Sequence, residues 1–250
     1  MKRLLIILTA LALSAPSYCQ IKMAILGDSY STYEGYVEPD SNAIWYADKS
    51  HYNNDVHHVE STWWWILAEQ LHAEITRNNS YSGSTICNTG YYKKDYSDRS
   101  FIARMGDIGM PDILFVFGGT NDCWANVPLG NYVYANWTKD DLFKFRPALC
   151  FLLQHLKKSL PSTRIIFIVN SKLSRPYTLS IYEACIHYQT ECIQLDGIDK
   201  QDGHPSTLGM QQIAMAIINY LKAKDSAGFY DMLHFNILEQ SLHQLNDNSK

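Results

Sequence analysis

Short apolar runs rich in β-branched residues recur along this chain, each separated from the next by a stretch with helical periodicity. That alternation restricts the fold more than any other feature, because strand–helix–strand units repeated in one chain place their strands parallel in one sheet with helices on both faces. Residues 21–26, 73–77, 113–117, 165–169 and 192–195 read as five strands. Residues 61–71 read as a helix capped by Ser61 or Thr62, and Trp63 to Trp65 pack its start. Asp140 or Asp141 opens a second helix that runs through Leu156 and is ended by Pro161. Residues 177–188 form a third, and Ser206 caps a last helix whose Ile213, Ile217 and Leu221 share a face. The expectation is an α/β protein, a three-layer α/β/α sandwich with a five-stranded parallel sheet, in which ligands bind outside the carboxyl ends of the strands.

The ends of the chain read differently from its middle. Lys2 and Arg3 precede an apolar run over residues 4–13, followed by Ser14, Ala15, Pro16 and Ser17. This is the layout of a secretory signal peptide, and the run is too short to span a bilayer. The predicted organisation is a signal peptide over residues 1–19, one domain over 20–224 and a C-terminal extension over 225–250, with export to the periplasm or the medium. Loss of Lys2 and Arg3 makes the chain two charges more negative than its full-length −4. Such a charge opposes a phosphate backbone or an anionic membrane surface, so neither nucleic acid nor stable membrane insertion is expected.

Cys87, Cys123, Cys150, Cys185 and Cys192 remain after cleavage, an odd number that leaves at least one thiol free or in an intermolecular bond. Cys185 and Cys192 either pair or stay as two buried thiols. No CxxC or HExxH spacing occurs, and His51, His57, His58 and Glu60 lie in a polar stretch that reads as a solvated loop. No metal is expected.

Chemistry gathers just after the strands. Gly27, Asp28 and Ser29 follow the first strand, delivering a hydroxyl to the carboxyl edge of the sheet. Gly83, in the sequence NNSYSG after the second strand, lets a main-chain N–H approach a ligand oxygen without a side chain in the way. GGTND after the third strand places the Asn121 amide at the same edge. His204, between Gly203 and Pro205, directly precedes the last helix. Taken singly, each has a plain structural use as a turn residue, a helix cap or a surface histidine. Together they supply a nucleophile, a base and neutral donors for an oxyanion, which are the requirements of acyl transfer.

These four ordered blocks, GDS at 27–29, Gly83, GxND at 119–122 and the His204–Pro205 pair, resemble the SGNH/GDSL hydrolase family. The resemblance implies a flavodoxin-like SGNH hydrolase fold and a serine esterase with Ser29 as nucleophile and His204 as general base. It further implies an oxyanion hole formed by the Ser29 N–H, the Gly83 N–H and the Asn121 side chain, with no cofactor. One position departs from the family pattern: the aspartate usually found three residues before the histidine is replaced by Gln201. Asp202 is the first candidate for the orienting acid, since Gly203 permits a tight turn, and Asp199 is the second. A main-chain carbonyl behind the ring, leaving a Ser–His dyad, is the third. The G-x-S-x-G elbow of α/β-hydrolases is absent.

The loop after Ser29 is crowded with Tyr30, Tyr33, Tyr36, Trp45, Tyr46 and Tyr52, and Trp124 and Trp137 follow the GGTND block. Flat amphipathic rings suit carbohydrate faces, so the expected partner is a small-molecule or polysaccharide ester, most simply an acetylated glycan. The competing readings are a lipase or lysophospholipase and a non-catalytic carbohydrate-binding protein on the same fold.

Overall fold

The computed structural model describes residues 20–49 and 52–225. The signal peptide expected over residues 1–19 and, past Asp225, the extension expected over residues 225–250 lie outside the described residues. Five strands, β1 (Lys22–Gly27), β2 (Glu74–Ser80), β3 (Ile113–Phe117), β4 (Arg164–Val169) and β5 (Glu191–Gln194), form one sheet in the order β2-β1-β3-β4-β5. Every pairing in it is parallel. This is the expected α/β sandwich.

The period of two along each strand divides the apolar side chains between two cores. Met23, Ile25, Phe115, Phe117, Ile166 and Ile168 face one side, where they meet α1 (Trp63–Leu71) and α6 (Thr207–Asp225). Ala24, Leu26, Leu114, Val116, Ile165 and Phe167 face the other, against α2 (Phe101–Arg104), α4 (Phe145–Ser159) and α5 (Arg175–His187). Strands buried on both faces explain why they read as continuous apolar runs rather than alternating ones. Because the chain passes from β1 outward to β2 and then returns to β3 on the other side, the crevice at the carboxyl end of β1 and β3 is the topological switch point.

Three expectations shift. β2 runs to Ser80 instead of ending at residue 77, because the polar side chains at its end are taken up internally: Asn78 Nδ2 donates to the Ser31 carbonyl and Ser80 Oγ to Asn78 Oδ1. The helix expected from residue 140 breaks at Lys144, which is extended, into a 3₁₀ turn (Asp141–Phe143) and α4. Pro147 accounts for the break, since it fits the first turn of a helix beginning at Phe145 but would interrupt one begun earlier. The sequence reading also missed α2, the short α3 (Thr120–Trp124) and a hairpin of β6 (Lys200–Gln201) and β7 (His204–Pro205). The last helix is capped as expected, with Ser206 Oγ accepting from the Gly209 N–H.

All five described cysteines are free thiols, so of the two alternatives for Cys185 and Cys192 the structure takes buried thiols. Among the described residues no helix is long and apolar enough to cross a membrane.

Candidate active site

β1 ends at Gly27, where added side-chain bulk has no room: a Cβ would stand 2.5 Å from Ser80 Oγ and 2.7 Å from Ser31. The chain then tightens into a 3₁₀ turn (Ser29–Ser31) capped by Asp28, whose carboxylate accepts from the Tyr30 N–H at 3.0 Å. Ser29 is thereby fixed at the edge of the sheet. Its Oγ lies 2.9 Å from His204 Nε2.

His204 comes from the other end of the domain on the β6–β7 hairpin, whose two-residue turn is Asp202–Gly203. Both turn residues have positive φ, 48° and 75°, as a type I′ hairpin turn requires, and Asp-Gly is a favoured pair for it. Tyr30 Oη donates to the Gly203 carbonyl at 2.6 Å, and Tyr46 Oη and Asn54 Nδ2 both donate to the Pro205 carbonyl. The loop that follows Ser29 therefore holds the loop that carries His204.

The orienting group behind the imidazole is a main-chain carbonyl. His204 Nδ1 lies 3.1 Å from the Asp202 oxygen, and a carbonyl can only accept, so Nδ1 carries the proton and Nε2 turns its lone pair to Ser29 Oγ. This corrects the assignment of the Asp202 side chain as the third member of a triad. In a two-residue turn the carbonyl of its first residue faces the ring, while the Asp202 carboxylate is exposed. Asp199 is also excluded from that place: its carboxylate accepts from Ser206 Oγ and its carbonyl from the Ser206 N–H. Gln201, standing where the family usually has its acid, spends its side chain elsewhere, with Oε1 accepting from the Asp55 N–H at 2.8 Å. Asp202→Asn, which keeps both the turn and the carbonyl, is expected to leave kcat within about threefold of wild type. A hundredfold loss on ester hydrolysis would restore the carboxylate.

Burial pushes the His204 imidazole down to about 4, against the pull of the Asp202 carbonyl, so the ring is a neutral base at pH 7.

Asn121 lies in α3, fully enclosed, and both ends of its amide are engaged. Oδ1 accepts from Tyr91 Oη at 2.7 Å, and Nδ2 donates to the Ser84 carbonyl at 3.0 Å and lies 3.5 Å from Asp28 Oδ2. The amide thus sits against the neighbours of both Gly83 and Ser29. Gly83 adopts φ 79°, a conformation that favours glycine, and a Cβ there would meet nothing within 4 Å. The reason for glycine is backbone conformation rather than space. Among the described residues the N–H groups of Ser29 and Gly83 have no acceptor, whereas those of Tyr81, Ser82 and Ser84 are all taken up.

Several supporting residues escaped the sequence reading. Arg104 is buried, and its guanidinium donates to the Gly27 carbonyl, the Asn79 carbonyl and Ser84 Oγ, tying the ends of β1 and β2 to the Gly83 turn. Burial lowers it to about 9, with Asp28 pulling the other way. Asp122 receives the Ile86 and Cys87 N–H groups; burial raises it, like Asp28, to about 7. Of the aromatic residues expected at the site, Trp45 and Trp124 border His204, and Tyr52 stacks on Trp45. Trp137 instead packs on Phe151, and Tyr36 lies against Trp65. No cluster of metal-ligating side chains occurs among the described residues.

The family model for GDSL-like Lipase/Acylhydrolase matches residues 21–221. No curated protein matches the chain. Two crystal structures of proteins carrying provisional GDSL-like lipase assignments are similar to it. One, from Bacteroides ovatus ATCC 8483, is 48% identical with a TM-score of 0.82, covering 82% of this chain and 100% of its own. The other, from Bacteroides uniformis ATCC 8492, is 52% identical with a TM-score of 0.80, covering 82% and 96%. An acetyl xylan esterase from the rumen bacterium Butyrivibrio proteoclasticus shares the fold at 19% identity and a TM-score of 0.56, covering 85% of this chain and 65% of its own. By a match that spans nearly all the described residues, and by the parallel sheet and ordered blocks that underlie it, this chain belongs to the GDSL-like lipase/acylhydrolase family, the SGNH/GDSL ester hydrolases.

Proposed function

We propose that the protein is an exported carbohydrate O-acetylesterase working through a Ser29–His204 dyad. The observation that carries the chemistry is the 2.9 Å contact between Ser29 Oγ and the unprotonated nitrogen of His204, beside two main-chain N–H groups without acceptors. Ser29 Oγ attacks the acyl carbon while its proton passes to Nε2, and the carbonyl electron pair moves onto oxygen. The N–H groups of Ser29 and Gly83 and the Asn121 amide stabilise that oxyanion. Its collapse breaks the ester C–O bond, and the departing alcohol takes the proton from Nε2. Water then repeats the sequence on the acyl-serine, releasing the acid and regenerating Ser29. No cofactor enters either half.

The substrate class rests on the surface around the dyad. Trp45 borders His204, and Tyr52 and Trp124 beside it are about half exposed, at 45% and 49%. Rings of this kind stack on the apolar faces of sugars and offer no aliphatic channel for a long acyl chain. Export rests on the basic start and the apolar run over residues 4–13.

Acetyl esters should be cleaved faster than octanoyl esters of the same aryl alcohol, and acetate should be released from an acetylated polysaccharide such as xylan. A rate that rises with acyl length would transfer the protein to the lipases.

A further inference from the structure

Each turnover by the proposed mechanism must create a positive imidazolium in a niche where His204 is only 5% exposed and the hydrogen bond behind the ring comes from a neutral carbonyl. A buried carboxylate ordinarily stabilises that cation, and here it is missing from its place. What lies against the ring is Trp45. The two ring centroids are 3.4 Å apart and the planes differ by 10°, and Tyr52 stacks on Trp45 at 3.6 Å and 8°. Tyr30, Tyr46 and Trp124 enclose the imidazole edge-on at 5.2, 6.4 and 6.0 Å.

The indole face acts differently on the neutral and the protonated ring. Neutral aromatic rings avoid a face-to-face sandwich and prefer offset or edge-on arrangements with centroids 4.5–7 Å apart, because their quadrupoles repel. A cation over an electron-rich indole face is attracted, most strongly when water is excluded. With its face 3.4 Å from the imidazole centroid, the Trp45 indole is placed to attract the ring once it is protonated. The neutral ring is the resting state. An interaction that strengthens only on protonation is one that favours the transition state over the ground state.

We propose that Trp45 is a positioning residue that replaces the missing carboxylate, stabilising the His204 imidazolium through its π face. The inference rests on the dyad reading above. The charged groups that face His204 are the Asp202 carboxylate on its own turn, which favours the cation, and Lys200 on β6, which opposes it. Lys200 is held by Asn170 Oδ1 and the Ser171 carbonyl. Neither group changes when only the indole is altered.

The test is site-specific replacement of Trp45 by tryptophans carrying one to four ring fluorines, which keep the shape and drain the π face. The expected result is a stepwise fall in kcat for p-nitrophenyl acetate, reaching about thirtyfold, with KM nearly constant. The His204 pKa, followed by NMR of the Cε1 proton, should fall in the same order, because the cation loses its support. Trp45→Phe should retain most of the rate and Trp45→Leu should lose as much as the most fluorinated variant. If Trp45 is only a cover, fluorination changes neither kcat nor the pKa, and the proposal is overturned. Ser29→Ala separates the two levels: activity lost with serine but indifferent to fluorination removes the role of Trp45 alone, while activity that survives without the serine removes the dyad and this role with it.

Discussion

Replacing Ser29 by alanine should reduce ester turnover by at least about four orders of magnitude while leaving the protein folded. The substitution removes the atom that forms the acyl intermediate, and no other hydroxyl contacts His204 Nε2 among the described residues. Its structural cost is small: one hydrogen bond of the Ser29 side chain is lost, and the bond from the Thr32 hydroxyl to the Ser29 main-chain carbonyl remains. The expected change in stability is within about 1.5 kcal/mol. His204→Ala should cost nearly as much in rate, and the double variant little more, because nucleophile and base act as one unit. Hydrolysis of p-nitrophenyl acetate gives the rates. A fluorophosphonate should add its mass to the wild type and not to Ser29→Ala. Near-wild-type turnover by Ser29→Ala, or labelling at another residue, would remove Ser29 from the mechanism.

The parts legible in the sequence are those written in local pattern. Strands buried on both faces appear as β-branched runs, so β3 is read to the residue and β4 to within one. The blocks around Ser29, Gly83, Asn121 and His204 follow strand ends or precede a helix start, where the topology must bring them to one edge. What stayed hidden depends on partners distant in the chain. Asn78 to Ser80 resemble a loop until their bonds to Ser31 and to one another are seen. Arg104 and Tyr91 carry no motif, and only the folded chain brings the guanidinium to the Gly27 carbonyl or the phenol to Asn121. For the group behind His204 the main-chain carbonyl ranks third in the sequence, although a signal for it is present. Asp202–Gly203 is a strong hairpin pair, and reading it as a turn rather than as a source of a carboxylate points to its main chain.

Asn121→Ala should lower kcat by about two to three orders of magnitude with KM changed little. The amide is held at both ends. Tyr91 Oη donates to Oδ1 and the Ser84 carbonyl accepts from Nδ2, and this pair of opposite demands fixes which end of the amide carries the hydrogens. Nδ2 has two hydrogens, one is spent on Ser84, and the contact to Asp28 at 3.5 Å is too long to hold the other firmly. That second N–H costs no reorganisation when negative charge develops next to Ser29, and it gains little from a neutral ester carbonyl. Hence the loss should fall on kcat. Alanine also strands the Tyr91 hydroxyl and the Ser84 carbonyl, at about 1–3 kcal/mol for each group that finds no water, so rates must be normalised to active sites titrated with a fluorophosphonate. Asn121→Asp is the sharper control: it preserves size and the Tyr91 bond but sets an oxygen against the Ser84 carbonyl and a charge beside Asp28. It should be at least as inactive as alanine. A loss confined to KM would make Asn121 a substrate-binding residue, and an active Asn121→Asp would show that donation from this side chain plays no part in the chemical step.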